Sequence, residues 1–189
     1  MADRRSSEII EGWPQESTEA ARLVIDKYGE SHEATESRLT WTSVGSWKRI
    51  VASRTFYEHA FPAPHIDAVE SFIDYRVPPE ACTALAQFDG SVVVERTAGE
   101  VSARCHDEEA NNLALNVMHD IVTGQKTVDE ARDHYAKEFL DYRRKRPTPY
   151  MDELRVPPAT GTADPDHRVL TDRDLEEAVE EGEAEGGRG

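Results

Sequence analysis

Apolar positions along this chain change their spacing several times, and the changes mark out its elements. Ala20, Ala21, Val24, Ile25 and Tyr28 fall on one face at helical spacing, Pro14 suits a first turn and Gly29 a left-handed end, which predicts a helix over about 14–28. Leu39 and Trp41 then alternate with polar neighbours, Val44-Gly45-Ser46 reads as a turn, and Trp47 to Thr55 resumes a pattern rich in branched and aromatic residues. A hairpin is expected there. Val69, Ile73, Tyr75 and Val77 are apolar while Glu70, Asp74 and Arg76 are charged, the pattern of a strand with one wet face, and Pro78-Pro79 ends it. A short helix is expected between Pro79 and Phe88. Asp89-Gly90 then turns the chain into a second hairpin, Ser91 to Arg96 and Glu100 to Cys105, whose alternation of Val101, Ala103 and Cys105 with Glu100, Ser102 and Arg104 asks for an antiparallel sheet covered on one face.

Asp107 opens a helix in which Ala110, Leu113, Ala114, Val117, Met118 and Ile121 sweep one arc, up to Thr123-Gly124. The opposite arc holds Glu109, Asn112, Asn116 and His119, either a solvated face, the commoner case, or the lining of a polar pocket. Thr127 with Glu130 makes a capping box for the next helix, whose apolar stripe runs through Val128, Ala131, Tyr135, Phe139 and Tyr142. Arg143 to Arg146 complement its dipole, and Pro147 and Pro149 stop it. The pattern therefore predicts one α+β domain over 14–156: a mostly antiparallel sheet of about five strands, with an N-terminal helix and a C-terminal helical hairpin packed on it. Residues 1–13 are expected as a flexible N-terminus. From Pro157 to Gly189 ten acidic residues face three basic ones, which reads as a largely disordered acidic tail. Within it Thr171 and Asp174 resemble a capping box, and Leu170 and Leu175 a hydrophobic staple, so a short helix is expected over 172–181. Leu170, Leu175 and Val179 are the residues through which it would dock on a protein partner.

Composition narrows the classes. Among 189 residues, 38 Asp plus Glu outnumber 22 Lys plus Arg, a formal net charge of −16 at pH 7. Such a surface repels phosphates, so neither nucleic acid nor an anionic membrane is an expected partner. Of the basic residues 17 are Arg and only 5 are Lys. Excess carboxylate with scarce Lys points to a salt-loving source, where salt screens the self-repulsion. The opening MADRRSSEIIEGW lacks an apolar core of signal-peptide length and no stretch approaches the roughly 18 apolar residues of a membrane span, so a soluble cytoplasmic protein is expected. Cys82 and Cys105 are too sparse for a disulfide scaffold and read as reduced, buried thiols.

The most chemical segment is Tyr57 to Ala68, YEHAFPAPHIDA, a connection between strands that carries two His, two acids, two aromatics and two Pro. His65 and Asp67 form an H-x-D pair which, with a distant His such as His119, has the composition of a facial triad for non-haem iron. The oxygenases that use such triads need a jelly-roll barrel, and only three strands follow His65 here. The competing reading is a Pro-stiffened loop whose Phe61 packs on the sheet and whose His residues bond to backbone. Cys105 meets a helix N-terminus, where a thiolate would be stabilised, yet the adjacent His106 points to the opposite face and a buried thiol is the simpler reading. No P-loop, GxGxxG, CxxC or GxSxG motif occurs.

KYGE around Gly29, WKR at 47–49, FPAPH at 61–65, IDYRVPPE at 73–80, FDGSVVVERTAGEVSARC at 88–105, and ALN with DIVTG near Gly124 resemble a protein family of haloarchaea and some bacteria with no assigned activity. The resemblance covers about residues 14–140 and implies the domain boundary and the salt-loving source, but no catalytic role. The leading expectation is a non-catalytic binding or accessory protein without a cofactor, its site at Tyr57, His59, Phe61, His65 and Asp67. The alternative is a metal-dependent enzyme using His59, His65 and Asp67.

Overall fold

The computed structural model describes residues 5–186, so the first four residues of the expected flexible N-terminus and the last three of the tail lie outside the described residues. Among these residues six strands form one antiparallel sheet: β1 (Glu33–Thr35), β2 (Arg38–Val44), β3 (Trp47–His59), β4 (His65–Asp74), β5 (Val92–Glu95) and β6 (Glu100–Cys105). Their order across the sheet is β1-β2-β3-β4-β6-β5. Among the described residues seven α-helices accompany them: α1 (Ser6–Ile10), α2 (Gln15–Tyr28), α3 (Cys82–Phe88), α4 (Glu108–Val122), α5 (Val128–Arg143), α6 (Pro149–Asp152) and α7 (Asp172–Gly186). This is the α+β fold expected, with one strand more. β1 is exposed at all three positions, so no hydrophobic pattern marks it. Among the described residues no helix is long and apolar enough to cross a membrane.

Helices cover one face of the sheet. α2 packs on β3 and β4, burying Ala20, Ala21 and Val24, and α4 packs on β6 and β4. α5 lies mainly on α4 and α3. Between Ala52 and Tyr57 the register of β3 on β4 shifts, and the buried hydroxyl of Ser17 donates to the Arg54 carbonyl of this bulge at 2.8 Å. Each tryptophan donates its indole N–H: Trp13 to Glu36 O, Trp41 to Gly29 O and Trp47 to Glu108 Oε1, all at 2.9 Å. That is how large amphipathic rings enter a core without an unpaired donor.

Three segments differ from the sequence reading. Residues 5–13, expected to be flexible, contain α1 and bury Ile10 and Trp13 in the core. Of the arc Glu109, Asn112, Asn116 and His119, Glu109 is exposed, but the two asparagines are buried because the chain returns over them at 150–155: Asn112 Nδ2 donates to Met151 O at 3.0 Å, and Asn116 Nδ2 to Tyr150 O and Glu153 O at 2.9 and 2.8 Å. The boundary at Val156 falls within packed chain. Thr162 is buried, Asp164 N–H donates to Arg96 O at 2.9 Å and its carboxylate pairs with Arg96 at 3.0 Å. Gly99, at φ +69°, sits so close beneath this segment that a Cβ there would run into the backbone of Thr162 and Ala163. Further on, α7 starts at the expected place, with the Thr171 hydroxyl accepting from Asp174 N–H at 3.2 Å, and it leaves Leu175 and Val179 exposed. It extends to Gly186, beyond the expected 181.

Candidate functional site

β3 and β4 both run further than their hydrophobic alternation shows, and the connection between them shrinks to residues 60–64. Strand pairing then sets His59 opposite His65 and Tyr57 opposite Asp67. Since alternate residues of a strand share a face, His65 and Asp67 lie on the same side of β4 as the core residue Val69. Asp67 is accordingly buried, at 1% exposure.

The side chains of His59, His65 and Asp67 each bring one ligand atom within 4.8 Å of the others. His59 Nδ1 is 3.5 Å from Asp67 Oδ2, and His65 Nε2 is 3.2 Å from Asp67 Oδ1. The second nitrogen of each ring faces an acceptor. His65 Nδ1 lies 2.9 Å from the Ala63 carbonyl, which places a proton on Nδ1 and leaves Nε2 with a lone pair in the neutral ring. His59 Nε2 faces Asp89 Oδ1 at 3.7 Å. Asp67 Oδ2 accepts from the Ser91 hydroxyl. Asp67 Oδ1 is sealed from solvent and has no partner in hydrogen-bond geometry, its contact with His65 included. In the neutral ring two acceptors would face each other across 3.2 Å; a proton on Nε2, which makes the contact an ion pair, or a cation between them resolves it.

In the metal-free site the surrounding electrostatics favour the proton, which a metal ion would have to displace. Burial works against a charged His65, but contacts with Asp67 and then Cys105 outweigh it, and the imidazole pKa is pushed up to about 11. Burial pushes the Asp89 carboxyl upward, against the Ser91 N–H and His59. The Cys105 thiol is also raised by burial, which outweighs the lowering effect of His65, so it has the character of a protonated thiol. Phe61 forms a wall, its ring 5.1 Å from that of Tyr135 and 6.1 Å from that of Phe88. Arg132 lies over Phe61 at 3.9 Å and donates to the Phe88 carbonyl at 2.5 Å. A cleft of about 130 Å³ runs beside His65 and Cys105, between the start of α4 and the end of α5.

Of the expected site residues, the fold gathers His59, Phe61, His65 and Asp67. Tyr57 takes no part in the cluster: it is exposed, with Arg104 stacked over its ring at 4.6 Å. His119, the distant histidine considered for a triad, bonds the Tyr75 hydroxyl at 2.8 Å instead. Asp89, Ser91 and Cys105 were not anticipated as neighbours of the cluster. Asp89-Gly90 has the local signature of a turn, and only the folded sheet brings that turn against the β3–β4 end. The usable signal was Asp67, a charged residue two places before Val69 on the face that alternation assigns to the core. Comparisons with protein-family models, curated proteins and solved structures return no match.

Proposed function

We propose that this chain holds one divalent transition-metal ion at His59, His65 and Asp67, which favours a metal-dependent enzyme over a metal-free binding protein. The observation that carries the proposal is the convergence of His59, His65 and the buried Asp67, one ligand atom of each within 4.8 Å of the others, with an acceptor facing a second nitrogen of each ring. Two imidazoles and a carboxylate suit zinc, manganese or iron(II) and leave coordination positions for water and a small substrate. Metal–ligand bonds of roughly 2.0–2.2 Å set neighbouring ligand atoms about 3.0–3.5 Å apart; His65 Nε2 and Asp67 Oδ1 stand at 3.2 Å, and one ligand atom from each of the three residues lies within 4.8 Å of the others. Ala63 O and Asp89 would orient the rings and raise their basicity, while Ser91 fixes the carboxylate. A divalent ion would also offset the buried charge of Asp67 and Asp89. With such an ion bound, the chemistry available is activation of a coordinated water or polarisation of a substrate oxygen.

Metal content of untagged protein tests this. About one equivalent of zinc, manganese or iron per chain is expected, falling roughly tenfold or more in Asp67→Asn and in His59→Gln. Folded wild-type protein that stays metal-free after equilibration with each ion overturns the proposal, as does a variant pair that retains full occupancy. The charge balance supports a second, independent reading, adaptation to high salt, whose test is a melting series in KCl.

A further inference from the structure

We propose that the cleft beside His65 is the substrate pocket of this centre and takes a small carboxylic acid with a compact apolar body. The inference rests on the metal reading, which is what makes an occupant of the cleft a substrate. The cleft has His65 and Cys105 on one side, Ala110, Phe139 and Met151 among its walls, and Arg143 lining it.

Arg143 decides the ligand's charge. Two of the cations that follow it, Arg144 and Arg146, pair with Asp141 at 3.7 and 3.3 Å. Among the described residues Arg143 has no ion-pair partner, and its guanidinium lies 5.1 Å from the Phe139 ring centroid instead. Arg22, Arg38, Arg54 and Arg132 share that lack, but of these guanidiniums the exposed Arg143 is the one that lines the cleft. The carboxylate that lines the cleft, Asp107, is turned to accept from Ala110 N–H at 2.9 Å as the cap of α4. A guanidinium over an apolar slot takes a carboxylate bidentately, and the walls cover the rest of the ligand. The volume sets its scale: about 130 Å³ suits a compact small molecule and falls well short of the roughly 300–1,000 Å³ of sites for larger ligands.

Benzoate is the probe, with benzamide as the uncharged control of the same shape, and the Met151 and Ala110 methyl resonances as the readout. Benzoate is expected to shift both methyls, to bind about tenfold more tightly than benzamide, and to lose about that factor in Arg143→Gln while Arg143→Lys recovers part of it. Absence of methyl shifts, equal affinity for the two probes, or undiminished benzoate binding by a folded Arg143→Gln overturns the proposal. Manganese-loaded protein is further expected to relax the benzoate ring protons faster than zinc-loaded protein. If benzoate binds but is not relaxed, the cleft does not serve the centre and the substrate assignment is overturned. If the chain takes up no metal at all, the metal reading has failed, while the methyl shifts still report separately on the cleft.

Discussion

Asn116 holds three backbone groups at once: two carbonyls through Nδ2, and the Arg155 N–H, which donates to its Oδ1 at 2.7 Å. An asparagine on the arc opposite an apolar stripe looks solvated, because nothing within its own helix announces a chain that returns some forty residues later. Asp67 stood out chemically but as a loop residue; only because β4 reaches back to His65 does alternation put its carboxylate on the core side, where it needs partners. Glu100 shows how charge is used away from the site. It binds Arg49 Nη2 at 2.7 Å and Lys48 Nζ at 2.7 Å. The Arg49 hydrogen bond, opposed by burial and assisted by Lys48, holds its carboxyl well below the ordinary 4.5, at about 2. Because its pKa is lower in the folded state, Glu100 stabilises the fold fully above the ordinary value, and that contribution is lost as pH falls from about 4.5 through about 2. Acid unfolding of Glu100→Gln should therefore show a shallower slope across that window than wild type. Identical slopes would mean that the ion pairs add nothing to stability.

Strongly periodic elements were the readable ones. α2, α4, α5 and the hairpin of β5 and β6 carry their caps, turns and apolar stripes in adjacent residues, so local chemistry and tertiary packing agree on them. The ends of β3 and β4 were not readable as strand, since His and Asp replace the apolar residues by which alternation is recognised. The segment after Val156 is polar and lacks regular structure up to α7, yet it docks through Thr162, Asp164 and the bare backbone of Gly99. Ending the chain after Val156 should lower the melting temperature by about 5 °C, the equivalent of one to two kcal/mol in a domain of this size. Ending it after His167, which keeps these contacts, should leave the melting temperature unchanged. Equal melting of both truncations and the full chain would show that the segment contributes no stability.

At the scale of the molecule, the helices crowd one face of the sheet and 38 acidic side chains crowd the chain. Self-repulsion among them opposes compaction, and at about 0.1 M salt, where the Debye length is still about 10 Å, screening of neighbours is incomplete. The melting temperature should accordingly climb with KCl into the molar range, and a curve already flat at about 0.1 M would contradict adaptation to high salt. Against that background of exposed carboxylates, the cluster at the β3–β4 end is distinguished by burial, by two imidazoles with acceptors facing their outer nitrogens, and by an oxygen without a partner. Surface acids also attract cations, so the decisive question is where a bound metal sits. Anomalous diffraction from crystals of the metal-equilibrated full chain, collected on both sides of the metal's absorption edge, answers it directly. One dominant peak is expected about 2.0–2.2 Å from a nitrogen of His59, a nitrogen of His65 and an oxygen of Asp67. A map with no peak there, or with metal only on the acidic surface, would contradict it.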